Sequence, residues 1–514
     1  MGGRIKGFEN FAFIGLFVVG FIFLLSYYGY ALLPFWPDET FFLQPAQNLA
    51  EGKGMGTPAL DDLLPGISQR TYWQPPVYFL ALSVWGKFMG FNVMSSRCFS
   101  RACAIGVLVL LWFLARRWGI GERLALFCVI WTGLDLTFQY NANLGRMDTL
   151  NAFLLMGSLV AFTSYQQNGR EWHVGMAGVF GSLATLTHFI AIPAVLTLGA
   201  ILVWRRQVKA LVWFALPILV GWVLWLTYAA QDWQSYFGQL ELQFVRKGEG
   251  GLSATLLRLF FPQSLVSLYG TFPINSPPIW FILLALTFGA WLRGSSPLKG
   301  WQIALFSMAF LSAASGGELW YIGWWIPFGY LLLSLWLQFI LEHFPKKAWI
   351  WTLCILWVCW QLFKIGQAVS SVPELKRDID RFFVEVSEIL PHGAKVILHC
   401  VPDPFPLLQS DRPDLQLIQI SPTPMLPEAL NRVQKDSDFF VGLTNWAEGR
   451  GLNLPEFWKE WRFRGPESSW GVRIHKLRKD DSRLPQSNKN FKSAHNVNCD
   501  VETQIKLESG ENEG

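Results

Sequence analysis

Charge is the scarcest commodity in this 514-residue chain: only 15% of residues are Asp, Glu, Lys or Arg, where a soluble globular domain carries about 25%. The shortage is concentrated. Residues 1–372 hold 23 Lys and Arg and 15 Asp and Glu, so roughly 10% of that stretch is charged, against roughly 29% of residues 373–514. Two further absences follow. No CxxC or zinc-ligand spacing occurs among the seven cysteines. Cys98, Cys103, Cys128, Cys354 and Cys359 sit in or beside apolar runs, and only Cys400 and Cys499 lie in polar sequence, so a disulfide framework and a structural zinc site are excluded. No block of basic residues marks a nucleic-acid surface, and no internal repeat marks a solenoid. What is abundant is apolar and aromatic: 52% hydrophobic residues, 42 Phe and 27 Trp. The composition describes an α-helical polytopic membrane protein followed by a soluble part, and excludes a soluble enzyme or a disordered chain.

Apolar runs set the expected spans. The first is 11–33, after Arg4 and Lys6. It is too long for a signal-peptide core and lacks a small-residue cleavage site, so an uncleaved span is expected. Further runs near 102–118, 124–140, 147–166, 172–187, 189–204, 210–230, 278–293, 301–316, 319–340 and 348–366 bring the total to about eleven, each near the ~17–25 residues a crossing needs. Alternate connections carry the cations: Arg116, Arg117 and Arg123; Arg170; Arg205, Arg206 and Lys209; Arg293 and Lys299; Lys346 and Lys347. The positive-inside rule puts these on the cytoplasmic face with the N-terminus. The long segment 34–101, the turns at 141–146, His188 and 316–319, and the whole C-terminal part then face outward. Two helices are expected in 34–101, at 38–52 and, interfacially, at 76–91.

The expected domains are a membrane domain at 1–370, a small α/β domain at 371–478 and a disordered tail at 479–514. In the second, 374–390 has helical periodicity, 395–399, 415–420, 438–443 and 472–477 read as strands, and 427–433 reads as a helix.

Ionisable groups at membrane depth are costly and therefore functional candidates. Here they converge on the outer surface: Asp38 and Glu39 directly after the first span, Asp148 beside Arg146, His188 at an outer turn, and Glu318 and Tyr321 at the start of a late span. Asp38, Glu39 and Asp148 are the candidate catalytic carboxylates, and Asp38, Asp148 and His188 a candidate set for a divalent metal ion. Arg70, Tyr72, Arg146, His188, Glu318 and Tyr321 are candidate substrate-binding groups, with Lys53 as a further cation. Simpler roles fit some of them on local grounds. Asp38 and Glu39 suit a helix N-terminus, Asp148 suits an ion pair with Arg146, Asp135 suits a buried hydrogen-bonded group, and Arg97 and Arg101 suit anchors for the next span.

Three motifs in order carry a resemblance: Asp38-Glu39-Thr40 after the first span, Tyr72-Trp73-Gln74-Pro75-Pro76-Val77-Tyr78, and Arg146-Met147-Asp148. Together they resemble the membrane glycosyltransferases of the GT-C class, most closely the aminoarabinose transferases and the protein O-mannosyltransferases. Thr187-His188-Phe189 stands where that family has a Lys-Gly turn, and Trp320-Tyr321 with Pro327 matches its Tyr-rich late span. Gln74 replaces the basic residue that usually precedes Pro-Pro. The likeness covers roughly residues 1–370 and implies a GT-C-like membrane domain. It implies transfer of a sugar from a polyprenyl-phosphate donor to a lipid, polysaccharide or protein acceptor at the non-cytoplasmic face of the cell's inner membrane. It further implies an inverting displacement with Asp38 as base. A polytopic transporter or a non-catalytic scaffold would share the composition. A transporter, however, places its charges near the bilayer midplane and often in repeated halves.

Overall fold

The computed structural model describes residues 35–248, 326–343, 348–420, 425–449, 452–464 and 469–477, with the helical positions Gly15, Gly20 and Phe23. Apart from those three positions, the expected first span lies outside the described residues, as do the spans at 278–293 and 301–316, the interfacial stretch at 253–262, Glu318 and Tyr321. Element labels run over the described residues.

The segment 35–92 opens with α1 (Pro37–Ala50). Pro37 presets its first turn, and Asp38 and Glu39 place negative charge at the positive end of the helix dipole. α2 (Val77–Met89) follows the Pro-Pro pair, which cannot continue a helix but readily starts one. The bundle then runs through α3 (Val93–Arg117), α4 (Glu122–Leu134), α5 (Leu136–Ala142), α6 (Asp148–Asn168), α7 (Glu171–Thr185), α8 (Ile192–Trp204), α9 (Val208–Ala229), α10 (Trp233–Gly248), α11 (Ile326–His343) and α12 (Ala348–Ile389). The expected continuous span at 124–140 is broken at Asp135. The Asp135 Oδ1 accepts the backbone N–H of Thr137 at 2.9 Å and of Phe138 at 3.2 Å, capping α5 as a new helix.

Among the described residues, three helices are long and apolar enough to cross a membrane: Val93–Arg117, Val208–Val245 and Ala348–Gln367. α9 leaves Val212, Leu219, Val223 and Leu224 more than half exposed, a pattern that suits lipid rather than water. Inside the bundle, small residues bring backbones close. A Cβ on Gly178 of α7 would stand 2.2 Å from the Phe214 carbonyl oxygen of α9, so any larger residue forces these helices apart.

α12 passes straight through the expected boundary at 370, Pro373 included, so the anticipated separate helix at 374–390 is its C-terminal end. Beyond it lies a five-stranded sheet of order β2-β1-β3-β5-β4. Its strands are β1 (Lys395–His399), β2 (Gln416–Gln419), β3 (Phe439–Gly442), β4 (Phe457–Arg464) and β5 (Ser469–Lys476), interleaved with α13 (Phe405–Asp411), α14 (Pro427–Asp436) and α15 (Thr444–Gly449). β1 pairs parallel with β2 and β3; β5 is antiparallel to β3 and to β4.

Strand alternation sends Val396 and Leu398 to one face, against Phe382 and Val386 of α12, and Ile397 to the other, against Leu430 and Val433 of α14. The latter face also buries Leu63, from the segment between α1 and α2, whose carbonyl accepts the Leu426 N–H at 3.0 Å. The described residues from 35 to 477 belong to one compact unit.

Candidate active site

The first turn of α1 is held by Glu39. Its side chain and that of Arg97 on α3 are both fully buried. Arg97 donates from Nε to Oε1 at 2.8 Å and from Nη2 to Oε2 at 2.7 Å, a bidentate geometry that only arginine can supply. The remaining acceptor positions take backbone donors: Gly145 N–H at 2.8 Å on Oε1 and Trp36 N–H at 3.1 Å on Oε2. A carboxylate has about four acceptor positions, so Glu39 is saturated. Expected as a candidate catalytic carboxylate, Glu39 here ties α1, α3 and the 143–147 turn together through these contacts. Glycine is required at 145 because a Cβ there would meet Ser96 Oγ at 2.1 Å and Glu39 Oε1 at 3.2 Å.

That turn presents Arg146. Its Nη1 meets Asp38 Oδ2, and its Nε donates to Asp148 Oδ2 at 3.0 Å. Arg146 and Asp148 are 4% and 3% exposed, whereas Asp38 is 19% exposed. The difference matters: Asp38 alone of the two carboxylates has an open side to receive an incoming group. The Arg146 guanidinium also lies 5.4 Å from the ring centre of Phe42, on the next turn of α1, in cation–π range. Asp38, Glu39 and Asp148 against Arg97 and Arg146 leave this set of five one negative charge in excess. The Tyr78 phenol, from the Pro-Pro motif, is fully buried.

The candidate metal set does not assemble. Among the described residues no group of three or more His, Cys, Asp or Glu side chains lies close enough together to hold an ion. Asp38 and Asp148 already share a cation, Arg146, and His188 Nδ1 accepts the Ile190 N–H at 3.1 Å, capping a short turn. Asp135 is the buried hydrogen-bonded group expected of it, also accepting from the Tyr330 hydroxyl at 3.0 Å. Lys53 is exposed and paired with Glu51.

A second cluster lies past the far end of α1. Gln239 on α10 pins the 65–73 segment: its Oε1 accepts the Tyr72 and Trp73 N–H groups at 2.7 and 3.1 Å, and its Nε2 donates to the Arg70 carbonyl at 2.9 Å. Tyr72 packs on Trp225, Tyr228 and Tyr236 with ring centres 5.6–5.9 Å apart. Burial raises the Tyr72 phenol above its ordinary value, and the neighbouring Arg70 guanidinium opposes that shift. Trp225 and Tyr228 also line an apolar cavity of about 540 Å³, whose walls include Leu49, Met55, Val77 and Leu186. Leu49 lies eleven residues along α1 from Asp38, roughly 16 Å at the helical rise. Trp73 bridges the two clusters, packing on Phe41 and Phe42.

Sequence reasoning placed Arg97 only as a span anchor. Its partner Glu39 is 58 positions away, and nothing local marks the pair. The scarcity of charge around Arg97 in the sequence was the available clue.

Comparison with known proteins adds the fold. No family model matches the chain. A curated protein of Aquifex aeolicus (strain VF5), described as an uncharacterized protein, is 25% identical over 167 residues, 32% of this chain and 32% of that protein. The match therefore spans about a third of that relative's length. The crystal structure of ArnT from Cupriavidus metallidurans bound to undecaprenyl phosphate is similar with a TM-score of 0.58 at 13% identity, over 93% of this chain and 99% of that one. The apo state of the same protein gives 0.54 at 12% identity, over 92% and 98%. The chain thus shares the fold of ArnT, and the resemblance carried by residues 38–40, 72–78 and 146–148 holds at the level of the fold.

Proposed function

We propose that the chain is a membrane glycosyltransferase that moves a sugar from a polyprenyl-phosphate donor to an acceptor hydroxyl on the non-cytoplasmic face, by inverting displacement. The observation that carries this reading is the Asp38–Arg146–Asp148 cluster. It puts one accessible carboxylate and one buried one on a shared guanidinium, on a helix whose other end borders an apolar cavity. The ArnT structure that names undecaprenyl phosphate as its ligand supports a lipid donor of the same chemical class. Orientation in this reading follows the basic loops, with the N-terminus cytoplasmic and the sheet outside.

Each part has a chemical task. The cavity accepts part of the isoprenoid tail by the hydrophobic effect. Arg70 and Tyr72 at its edge meet the phosphate. Asp38 takes the proton of the acceptor hydroxyl as its oxygen bonds to the anomeric carbon. The bond from that carbon to the phosphate oxygen breaks, its electron pair stays on the phosphate, and polyprenyl phosphate leaves. Arg70 and Arg146 stabilise the charge that develops. Asp148 keeps Arg146 oriented. A divalent ion would have to displace Arg146 from both carboxylates, so transfer is expected to survive EDTA at full rate. A rate restored only by Mg²⁺ or Mn²⁺ would show that the ion-pair description is wrong.

Arg70→Ala is expected to raise KM for the lipid donor at least about tenfold, the worth of one charge-assisted hydrogen bond, with kcat changed much less. An unchanged KM would place the phosphate elsewhere. In cells, mass spectrometry of lipid-linked sugars and glycoconjugates is expected to show the donor accumulating and one glycoconjugate losing its sugar when the chain is absent. Identical profiles would overturn the proposal.

A further inference from the structure

The sheet turns the carboxyl ends of β1 and β2 toward the start of α1. Beyond His399 at the end of β1, the chain meets the start of α1 and its neighbours at three points. Asp403 donates its N–H to the Phe35 carbonyl at 2.8 Å. Its Oδ2 accepts the Thr40 hydroxyl of α1 at 3.2 Å. Val401 is buried in one apolar cluster with Trp36, the N-cap of α1, and with Leu136 and Tyr140 of α5. Phe35 stacks on Phe383 of α12 with centroids 6.1 Å apart.

Asp403 is itself 1% exposed. Its Oδ2 also accepts from Gln419 Nε2 at 2.5 Å, at the end of β2, and its Oδ1 from the Phe405 N–H at 3.0 Å. Burial pushes the carboxyl up to about 7, and the nearby Glu39 adds to the rise against the hydrogen bonds it accepts. A carboxylate this deeply buried costs stability unless its position is useful. The residues it grips, Phe35 and Thr40, bracket Asp38.

We propose that Asp403 is a positioning residue. Through Phe35 and Thr40 it sets the first turn of α1, so that the C-terminal domain holds the Asp38 carboxylate where the acceptor hydroxyl arrives. The inference rests on the assignment of Asp38 as the base. Asp403 does not touch substrate, since three hydrogen-bond donors of the protein already engage its carboxylate.

The test uses the full chain in proteoliposomes, with Asp403→Ala, Asp403→Asn and Thr40→Val. Two readouts are taken: hydrogen exchange of the 35–42 backbone, and kcat with KM for a polyprenyl-phosphate sugar. Asp403→Ala is expected to speed exchange in that segment at least about tenfold. It lowers kcat about 10- to 100-fold, the usual consequence of a small misplacement, and leaves KM within about twofold. Asp403→Asn is expected to keep most of the rate. Its amide oxygen accepts from Phe405, and its NH₂ can donate to Thr40 Oγ1 and, once the Gln419 amide turns, to Gln419 Oε1, which is buried without a partner.

Thr40→Val removes one hydroxyl at nearly constant shape and is expected to lower kcat about 3- to 10-fold. It carries the test should the alanine variant fail to fold. Unchanged exchange and kcat in Thr40→Val, or an Asn variant as slow as the Ala variant, would overturn the proposal. Asp38→Asn run in parallel separates the two readings. If it stays active, the base assignment fails, while exchange of the 35–42 backbone still judges the clamp.

Discussion

Asp38→Asn is expected to cut turnover by about 10²- to 10⁴-fold, the range that a positioned general base contributes, with little change in KM for the lipid donor. Asparagine keeps the shape of the side chain, and its amide oxygen can still accept from Arg146 Nη1, the partner of Asp38 Oδ2. What it cannot do is take a proton. The buried Asp148 predicts a different phenotype. Asp148→Asn leaves Arg146 with Asp38 as its remaining carboxylate in this cluster, which draws the guanidinium closer to Asp38 and makes that carboxylate a weaker base. A smaller fall in kcat, about tenfold, is therefore expected. The pair is informative because the two carboxylates differ chiefly in exposure, 19% against 3%. If Asp148→Asn proved the more severe change in a folded protein, the roles would have to be exchanged.

The second large effect concerns folding. Arg97→Met is expected to destabilise the protein by about 3–5 kcal/mol, because it strands a fully buried Glu39 carboxylate without its cation. Glu39→Gln strands Arg97 and should cost a similar amount. The double variant Glu39→Gln/Arg97→Met leaves no unpaired charge, so its loss is expected to fall well short of the sum of the two single changes. Denaturant unfolding in detergent, followed as a double-mutant cycle, measures this directly. Single variants within about 1 kcal/mol of the parent would show that the pair is not the strut described here. Because Gly145 also donates to Glu39, the single variants should loosen the turn that carries Arg146 as well, and activity should fall further than stability alone would explain.

Local signals in the sequence were read well. Pro37 with its two acids began α1 where the sequence placed a helix, and the Pro-Pro pair began α2. The strands at β1, β2, β3 and β5 and the helix α14 were visible as apolar or periodic runs. Three readings failed for physical reasons. The step in charge density suggested a domain boundary near 370, but α12 continues through it, Pro373 included. Asp135 was taken as lying within a span, although a short acidic side chain is a good N-cap and starts α5. β4 alternates aromatic with charged residues in Phe457–Arg464, and as an edge strand it resembles exposed loop sequence.

The site was half legible. Asp38, Arg146 and Asp148 stood out because charge is so scarce in the membrane part. The contacts that hold them did not, because Arg97 meets Glu39 across 58 positions and Asp403 meets Thr40 across 363. No local pattern predicts pairings at that distance.

The central claim is that this chain breaks a sugar–phosphate bond using Asp38. The most direct test reconstitutes the purified protein in liposomes with a polyprenyl-phosphate-linked sugar and follows release of free polyprenyl phosphate in step with glycosylation of an acceptor. The parent chain is expected to release the carrier, and Asp38→Asn to do so at least about a hundredfold more slowly while remaining folded. Equal release by the two proteins, or movement of an intact solute across the vesicle with no bond cleaved, would contradict it.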